Sequence, residues 1–229
     1  MLFLKYLFLL LSLTLFLACS SKVAYVDTRE YTSFSKTKRE LKKIYKQHPY
    51  TFYCECKFLV NDINRSSCGY KPKHTYTKKG TLNKRALRIE YEHIMPAHYF
   101  GKTLPCWKKG GRKACKKSSS LFRQMEADPN NLVPSIGELN ADRRNYPYAL
   151  DPPALLSYGK CKFEVHNKLT YVNENIHGDI ARSYLYMSQR YKILLSKTLK
   201  LQMQMWDAED PISPWELKKR SLLIKKSQD

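Results

Sequence analysis

The cysteines constrain this chain more than any other feature, because in an oxidising compartment they become covalent links across the fold. The sequence has seven, and an odd number is awkward for an exported protein. If Cys19, close to the N-terminus, is set aside for another use, an even number remains for disulfides. These six are Cys54, Cys56, Cys68, Cys106, Cys115 and Cys161.

Zinc coordination is the alternative use of two of these cysteines. Cys106 and Cys115 lie near His93 and His98 in the sequence, and cysteine with histidine is a common zinc-binding set. The Cys-x8-Cys spacing does not fit a common zinc knuckle, and exported cysteines usually oxidise. We therefore expect disulfides, with Cys106 and Cys115 as the favoured local pair.

The N-terminal stretch "MLFLKYLFLLLSLTLFLACSSK" predicts export. A lysine precedes an apolar run that is too short for a membrane span and is typical of a secretory signal, so we assign residues 1–18 as a signal peptide. The segment "LFLACS" resembles a bacterial lipoprotein box with Cys19 as the lipidated residue. Plain cleavage near Ala18 is the alternative. The polar residues 19–32 are expected to form a tether, and the protein to reside in the periplasm, at the outer membrane as a lipoprotein, or outside the cell.

The charge balance indicates a polyanionic partner. Lysine and arginine number 41 against 20 acidic residues, which leaves a formal charge of +21. Such a surplus exceeds what solubility requires and favours nucleic acid or an anionic membrane surface, although a merely basic surface is the ordinary alternative. The 229 residues with 43% apolar content can form one substantial domain, which we place at residues 33–229.

Hydrophobic periodicity predicts a mixed α+β fold with a helical C-terminal third. In chain order the patterns indicate a helix over 33–49, a strand over 50–60, a strand over 87–96, a long irregular loop over 97–120, a strand that turns into a helix over 131–145, and helices over 178–196 and 214–226.

One short run carries residues suited to phosphodiester hydrolysis. That reaction needs a base for water and a cation that neutralises developing charge. His93 suits the first role, and Glu92 beside it offers an oxygen ligand for Mg²⁺. Asn140 offers a second oxygen, and Arg112 could bind phosphate. Taken singly, each residue is more often a solvated or capping side chain, so the residues alone leave a nuclease as one candidate.

Taken together, the motifs resemble the endonuclease I family of bacterial periplasmic and secreted non-specific nucleases. The similarity is carried by "EYEHIMPAHYFGK", "CWKKGGRKAC" and "MEADPNNLVPSIGELNADRRNY", with "TFYCECK", "SCGY" and "GDIARSYLYM" around them. It covers roughly residues 33–220. The family implies a mixed α+β single domain built around a ββα-metal finger, also called the His-Me finger.

The resemblance also implies roles for single residues. His93 is expected to be the general base, Glu92 and Asn140 to bind one Mg²⁺, and Arg112 to contact the phosphate. Mn²⁺ or Ca²⁺ is expected to substitute structurally. The implied reaction is non-specific cleavage of DNA, and of RNA, by a monomer, leaving 5′-phosphate ends.

Other positions of the motifs have weaker expectations. Arg143, Asn145 and Lys113 are expected to contact nucleic acid, with Asp142 in support. Glu126 and Asn131 are expected to be structural.

The chain departs from the family pattern at its cysteines. Members usually carry eight after signal removal, whereas this chain has six, and Leu217 stands where a cysteine is expected. One whole disulfide is therefore expected to be missing. The segment "YVNENIH" also lacks the usual arginine and proline, which weakens any role in DNA binding there.

Two other classes of protein fit the charge. One is a catalytically silent nucleic-acid-binding lipoprotein, which would not need Glu92, His93, Arg112 and Asn140 to be present together. The other is a cationic surface protein that binds anionic lipid or polysaccharide through its basic termini.

Overall fold

The computed structural model describes residues 31–151 and 156–226. The predicted signal peptide at 1–18, the lipid site at Cys19 and all but the last two residues of the 19–32 tether lie outside these residues. None of the helices in the described part of the chain combines the length and the apolar character needed to cross a membrane.

The described residues form helices and short strands in an α+β arrangement, as predicted. The helices are α1 (Phe34–Ile44), α2 (Ala97–Gly101), α3 (Pro105–Ser118), α4 (Ser120–Ala127), α5 (Gly137–Arg143), α6 (His177–Tyr191), α7 (Lys197–Glu209) and α8 (Pro214–Lys226). The strands are β1 (Phe58–Leu59), β2 (Asp62–Ile63), β3 (Ile89–His93), β4 (Leu132–Ile136), β5 (Phe163–His166) and β6 (Leu169–Val172).

The predicted ββα unit is present at the centre of the fold. Strands β3 and β4 pair antiparallel, with Glu92 opposite Val133 and His93 opposite Leu132. Helix α5 begins directly after β4 and packs back on the hairpin. Because neighbouring side chains on a strand point to opposite faces, Glu92 and His93 leave the end of β3 in different directions.

The first helix follows its sequence signals. Ser33 caps α1 by accepting a hydrogen bond from the Lys36 amide at 3.5 Å. The chain then tightens into a 3-10 turn at Tyr45–Gln47, just before Pro49. The helix prediction over 33–49 is confirmed apart from this last turn.

The predicted strand over 50–60 is wrong for most of its length. The segment folds as a tight turn, in which the Thr51 amide donates to the Cys56 carbonyl at 2.9 Å and Glu55 has a φ of 52°. Two disulfides, Cys54–Cys161 and Cys56–Cys68, fix this turn. Its alternating aromatic pattern therefore reflects packing around disulfides.

The predicted loop over 97–120 is also wrong, because the segment is helical. Pro105 starts α3 in the position where its missing N–H costs nothing. Helix α3 is kinked at Gly110 and Gly111, and Gly111 has a φ of 61°. The predicted Cys106–Cys115 disulfide forms across the kink, with a Cα–Cα distance of 4.8 Å. The two glycines therefore mark a bend within a helix.

Two apolar clusters lie on either side of the β3–β4 hairpin. The main core includes one face of α6, within the helix predicted over 178–196, where Ile180, Tyr184 and Met187 are buried. A smaller cluster joins α1, the hairpin and α8. It is made of Leu41, Ile44, Tyr45, Tyr91, Leu132 and Leu223.

An ion-pair network holds α6, α7 and α8 together. Arg182 on α6 donates to both carboxylate oxygens of Glu216 on α8, at 2.8 and 2.7 Å, and to Asp207 on α7 at 3.1 Å. The neighbouring Asp179 carboxyl is partly buried and lies 3.8 Å from Arg182 Nη2. Burial, followed by the Glu216 charge, raises the pKa of Asp179 to about 7, against the pull of Arg182.

Replacing Asp179 by asparagine should stabilise the protein at pH 8 and have little effect below pH 4. The unfolded carboxyl ionises near pH 4 while the folded one keeps its proton to about pH 7, so stability falls as pH rises through this window. We expect a gain of about 1–2 kcal/mol at pH 8. Urea unfolding of both proteins at pH 4, 6 and 8 measures it, and an equal difference at all three pH values would contradict the expectation.

Candidate active site

A cleft of about 890 Å³ opens at the end of the β3–β4 hairpin, between α1, α3 and α5. It brings together most of the residues that the sequence singled out. Arg143 and Lys113 are not among its lining residues. The predicted residues that line it are Glu92, His93, Arg112, Asn140 and Asn145.

His93 is held in one orientation at the end of β3. Its Nε2 lies 2.8 Å from the carbonyl oxygen of Glu126, and its ring lies 5.0 Å from the ring of Phe34. A carbonyl can only accept a hydrogen bond, so Nε2 carries the proton in the neutral ring. Nδ1 is then the nitrogen whose lone pair is available to the cleft.

The surroundings of His93 keep it neutral. Burial, and then the positive charge of Arg112, lower the pKa of His93 to about 3. A neutral imidazole is the form that can accept a proton from water. The cleft therefore holds a histidine that is oriented and unprotonated at neutral pH.

Glu126 organises two functional groups at once. Its backbone carbonyl accepts from His93, and its buried carboxylate accepts from Arg112 Nε at 2.6 Å. Lys116 lies 3.8 Å from the other carboxylate oxygen. Arg112 follows the kink in α3 and remains half-exposed, so its guanidinium faces the cleft from a fixed position. Arg112 therefore lies in a helix and not in the irregular loop predicted over 97–120.

Glu92 is buried, and Arg143 neutralises its charge. Arg143 Nη1 donates to Glu92 Oε1 at 2.7 Å, and the Tyr53 hydroxyl donates to the same oxygen at 3.3 Å. Arg143 is completely buried. The expectation that Arg143 contacts nucleic acid is therefore wrong, because no part of it is accessible. It connects α5 to the carboxylate that was predicted to bind metal.

Glu92 and Asn140 fit a hard divalent cation by their chemistry. A carboxylate and an amide oxygen are ligands that Mg²⁺ prefers, and Mg²⁺ usually keeps several waters. Among the residues that the structure describes, no group of three His, Cys, Asp or Glu side chains could hold a metal. The zinc alternative is wrong, because Cys106 and Cys115 are joined to each other.

The expected structural residues do lie in structural positions. Asn131 is buried. Its Oδ1 accepts a hydrogen bond from the Met95 amide at 2.7 Å, and its Nδ2 donates to the Met95 carbonyl at 2.9 Å. It fixes the chain where it leaves β3. The Asp142 carboxylate accepts from the Tyr158 hydroxyl at 2.7 Å, which anchors the far side of α5.

The cleft is rimmed by cations that the sequence reading did not single out. Helix α1 contributes one turn of basic side chains, at a spacing that places them on one face. The basic residues of "KTKRELKK" belong to the helix predicted over 33–49, but the sequence analysis assigned them no contact with nucleic acid. The lining cations besides Arg112 are Lys38, Arg39, Lys42, Arg85, Arg88 and Arg144.

Comparisons with known proteins identify the family of this chain. A family model described as Endonuclease I matches residues 28–229. The chain belongs to the endonuclease I family. An extracellular deoxyribonuclease of Aeromonas hydrophila is 40% identical over 214 residues, which cover 90% of this chain and 88% of that protein.

Other relatives are similar over comparable lengths. A periplasmic deoxyribonuclease of Aeromonas hydrophila is 39% identical over 214 residues, 90% of this chain and 86% of its own length. Endonuclease-1 of Buchnera aphidicola subsp. Acyrthosiphon pisum is 35% identical over 215 residues, 91% and 83% of the two chains. The chain thus matches these endonuclease I relatives over nearly its whole length.

Replacing Arg143 by methionine should destabilise the protein by about 3–5 kcal/mol, because it leaves the Glu92 charge buried and unpaired. Arg144, the exposed neighbour, gives a matched control: Arg144→Met should change stability by no more than about 0.5 kcal/mol. Urea unfolding at pH 7 measures both. Adding Glu92→Gln to Arg143→Met should restore part of the loss, and equal stability of the two single arginine variants would contradict the assignment.

Proposed function

We propose that this protein is an exported, metal-dependent endonuclease that hydrolyses phosphodiester bonds of DNA, and of RNA, with little sequence preference. The observation that carries the proposal is the neutral, oriented His93 in a cationic cleft that also contains Glu92, Asn140 and Arg112. The names of the relatives, extracellular and periplasmic deoxyribonuclease, support DNA as a substrate and support export.

His93 acts as the general base in this proposal. With its Nε2 proton engaged by the Glu126 carbonyl, Nδ1 accepts the proton of the attacking water. The carbonyl then stabilises the imidazolium that forms, since its hydrogen bond to Nε2–H strengthens with positive charge. Burial keeps bulk water from competing for the same nitrogen.

Arg112 binds a phosphate oxygen and stabilises the charge that develops there. Its ion pair with Glu126 holds it through Nε, which leaves the terminal nitrogens for the phosphate. Glu92 and Asn140 would hold one Mg²⁺, which when bound supplies charge neutralisation at the phosphate and a proton source for the leaving 3′ oxygen. The products would carry 5′-phosphate ends.

The cationic rim binds the nucleic acid backbone. Phosphate contacts position a substrate without reading its sequence, so this rim supports non-specific binding with a strong salt dependence. We further propose export through the 1–18 leader, with a lipid on Cys19, and action as a monomer. The catalytically silent binding lipoprotein is the less favoured alternative, because it would not require the histidine, the carboxylate and the amide in one cleft.

Plasmid nicking by the oxidised protein should require Mg²⁺, stop with EDTA and fall by at least about 100-fold in His93→Ala, as expected for loss of a general base. His166 is exposed and outside the cleft, so His166→Ala is the matched control and should keep full activity. Gel electrophoresis of nicked and linear plasmid measures the rates. DNA binding without cleavage under any divalent ion would move the assignment to the silent binder.

Glu126→Gln should lower kcat by about 10-fold through Arg112 while leaving His93 in place, since the backbone carbonyl is unchanged. If Glu126 acts through Arg112, the substitution should have no further effect in an Arg112→Ala background. Steady-state cleavage rates of the two single variants and the double variant measure the coupling. Fully additive losses would show that Glu126 acts by another route.

A further inference from the structure

Glu90 lies in the cleft but has no role in the mechanism described so far. It precedes Glu92 by two residues on β3, so the two side chains start from the same face of the strand. Its Oε2 accepts a hydrogen bond from Asn140 Nδ2 at 3.1 Å. Its Oε1 accepts from Arg85 Nε at 3.0 Å and from Arg88 Nη2 at 2.8 Å.

The contact with Glu90 decides which end of the Asn140 amide faces the cleft. An ionised carboxylate can only accept hydrogen bonds, so only the nitrogen of the amide can point at it. The oxygen Oδ1 is thereby turned away from Glu90. Without that acceptor the amide could rotate by half a turn and present its N–H groups to a cation, which would repel it.

Glu90 is itself well fixed for this task. Arg85 donates to both of its carboxylate oxygens and Arg88 donates to Oε1, so the carboxylate is held between two guanidinium groups. Gly137 begins α5 against the same carboxylate, where a Cβ atom would lie 2.9 Å from Glu90 Oε1. The close approach of strand and helix therefore depends on glycine at this position.

Arg85 and Arg88 also offset the negative charge that Glu90 brings into the cleft. A free carboxylate in this cleft would repel phosphate and compete for the metal. Arg85 and Arg88 compensate its charge: they make three donor contacts to Oε1, and Arg85 Nη2 makes a fourth to Oε2 at 2.5 Å, an oxygen that it shares with Asn140. Glu90 thus supplies an acceptor for Asn140 without adding net negative charge to the substrate site.

We propose that Glu90 is a positioning residue, which fixes the Asn140 amide so that Oδ1 faces a bound divalent cation. The inference rests on the proposed function, because it needs Asn140 to be a metal ligand. It assigns Glu90 no contact with substrate or metal.

The first test measures Mn²⁺ binding to the oxidised protein without nucleic acid, by titration calorimetry. In Glu90→Gln the three arginine donors at the Oε1 position claim the oxygen of the introduced amide. Its nitrogen then takes the Oε2 position, displaces the donor Arg85 Nη2 and attracts Asn140 Oδ1 away from the cleft. The dissociation constant for Mn²⁺ should rise by about 10- to 100-fold, the usual cost of removing such a supporting partner. An unchanged dissociation constant would overturn the proposal.

A second test uses a background in which Glu90→Gln should strengthen Mn²⁺ binding. In Asn140→Asp, the introduced carboxylate faces Glu90 and the two repel each other. When Glu90→Gln is added, the introduced amide donates to that carboxylate and leaves its other oxygen for the metal. Glu90→Gln should therefore tighten Mn²⁺ binding in the Asn140→Asp background. A merely structural role for Glu90 predicts weaker binding in both backgrounds, and that result would contradict the proposal.

Glu138 on α5 provides the control for stability. It is a buried carboxylate that accepts from the His74 amide at 2.8 Å and from Asn83 Nδ2 at 3.3 Å, and it is not a lining residue of the cleft. Glu138→Gln should lower the melting temperature without changing the Mn²⁺ dissociation constant. If it weakens Mn²⁺ binding as much as Glu90→Gln does, the effect of Glu90 is general destabilisation and the proposal fails.

Kinetics separate failure of this inference from failure of the proposed function. With Glu90→Gln, KM for plasmid DNA should stay near the wild-type value and kcat should recover as Mn²⁺ is raised to saturation. If wild-type protein cleaves DNA and Asn140→Ala loses Mn²⁺ binding, but Glu90→Gln behaves as wild type, the endonuclease assignment survives and the role of Glu90 does not. If wild-type protein neither binds Mn²⁺ nor cleaves DNA, both fail.

Discussion

The geometry of the cleft depends on one buried guanidinium. Arg143, at the end of α5, donates to the Glu92 carboxylate and to the backbone carbonyls of His93 and Ile94, at 2.7, 2.8 and 2.8 Å. These three bonds tie the helix that carries Asn140 to the end of the strand that carries Glu92 and His93. Hydrogen bonds from a buried charge are directional, so they fix the position of α5 relative to β3 more strictly than apolar packing does, since apolar packing tolerates small shifts.

The sequence was informative where local chemistry and structure agree. Strand β3, the turn of β4 into α5 and helix α6 all followed from the hydrophobic periodicity of the sequence. The placement of Glu92, His93, Arg112 and Asn140 in one cleft came from the family resemblance, because residues far apart in the chain have no local signal of proximity.

The errors arose where long-range bonds override local pattern. Disulfides bend the aromatic segment over 50–60 into a turn, and a helix with a double-glycine kink resembled a loop. Arg143 looked like any surface arginine, since sequence does not distinguish a buried cation from an exposed one until its carboxylate partner is placed. Glu126 gave no sign that its backbone and side chain serve different groups.

The Cys54–Cys161 disulfide closes a ring that contains both strands of the central hairpin and every residue placed in the chemistry. An exported protein meets proteases, and an exposed segment such as that around Gly80 is a natural place for a cut. A single cut inside the ring leaves the two fragments covalently joined, with each strand still beside its partner. A cut in the backbone then releases neither fragment, and the nicked molecule keeps its cleft.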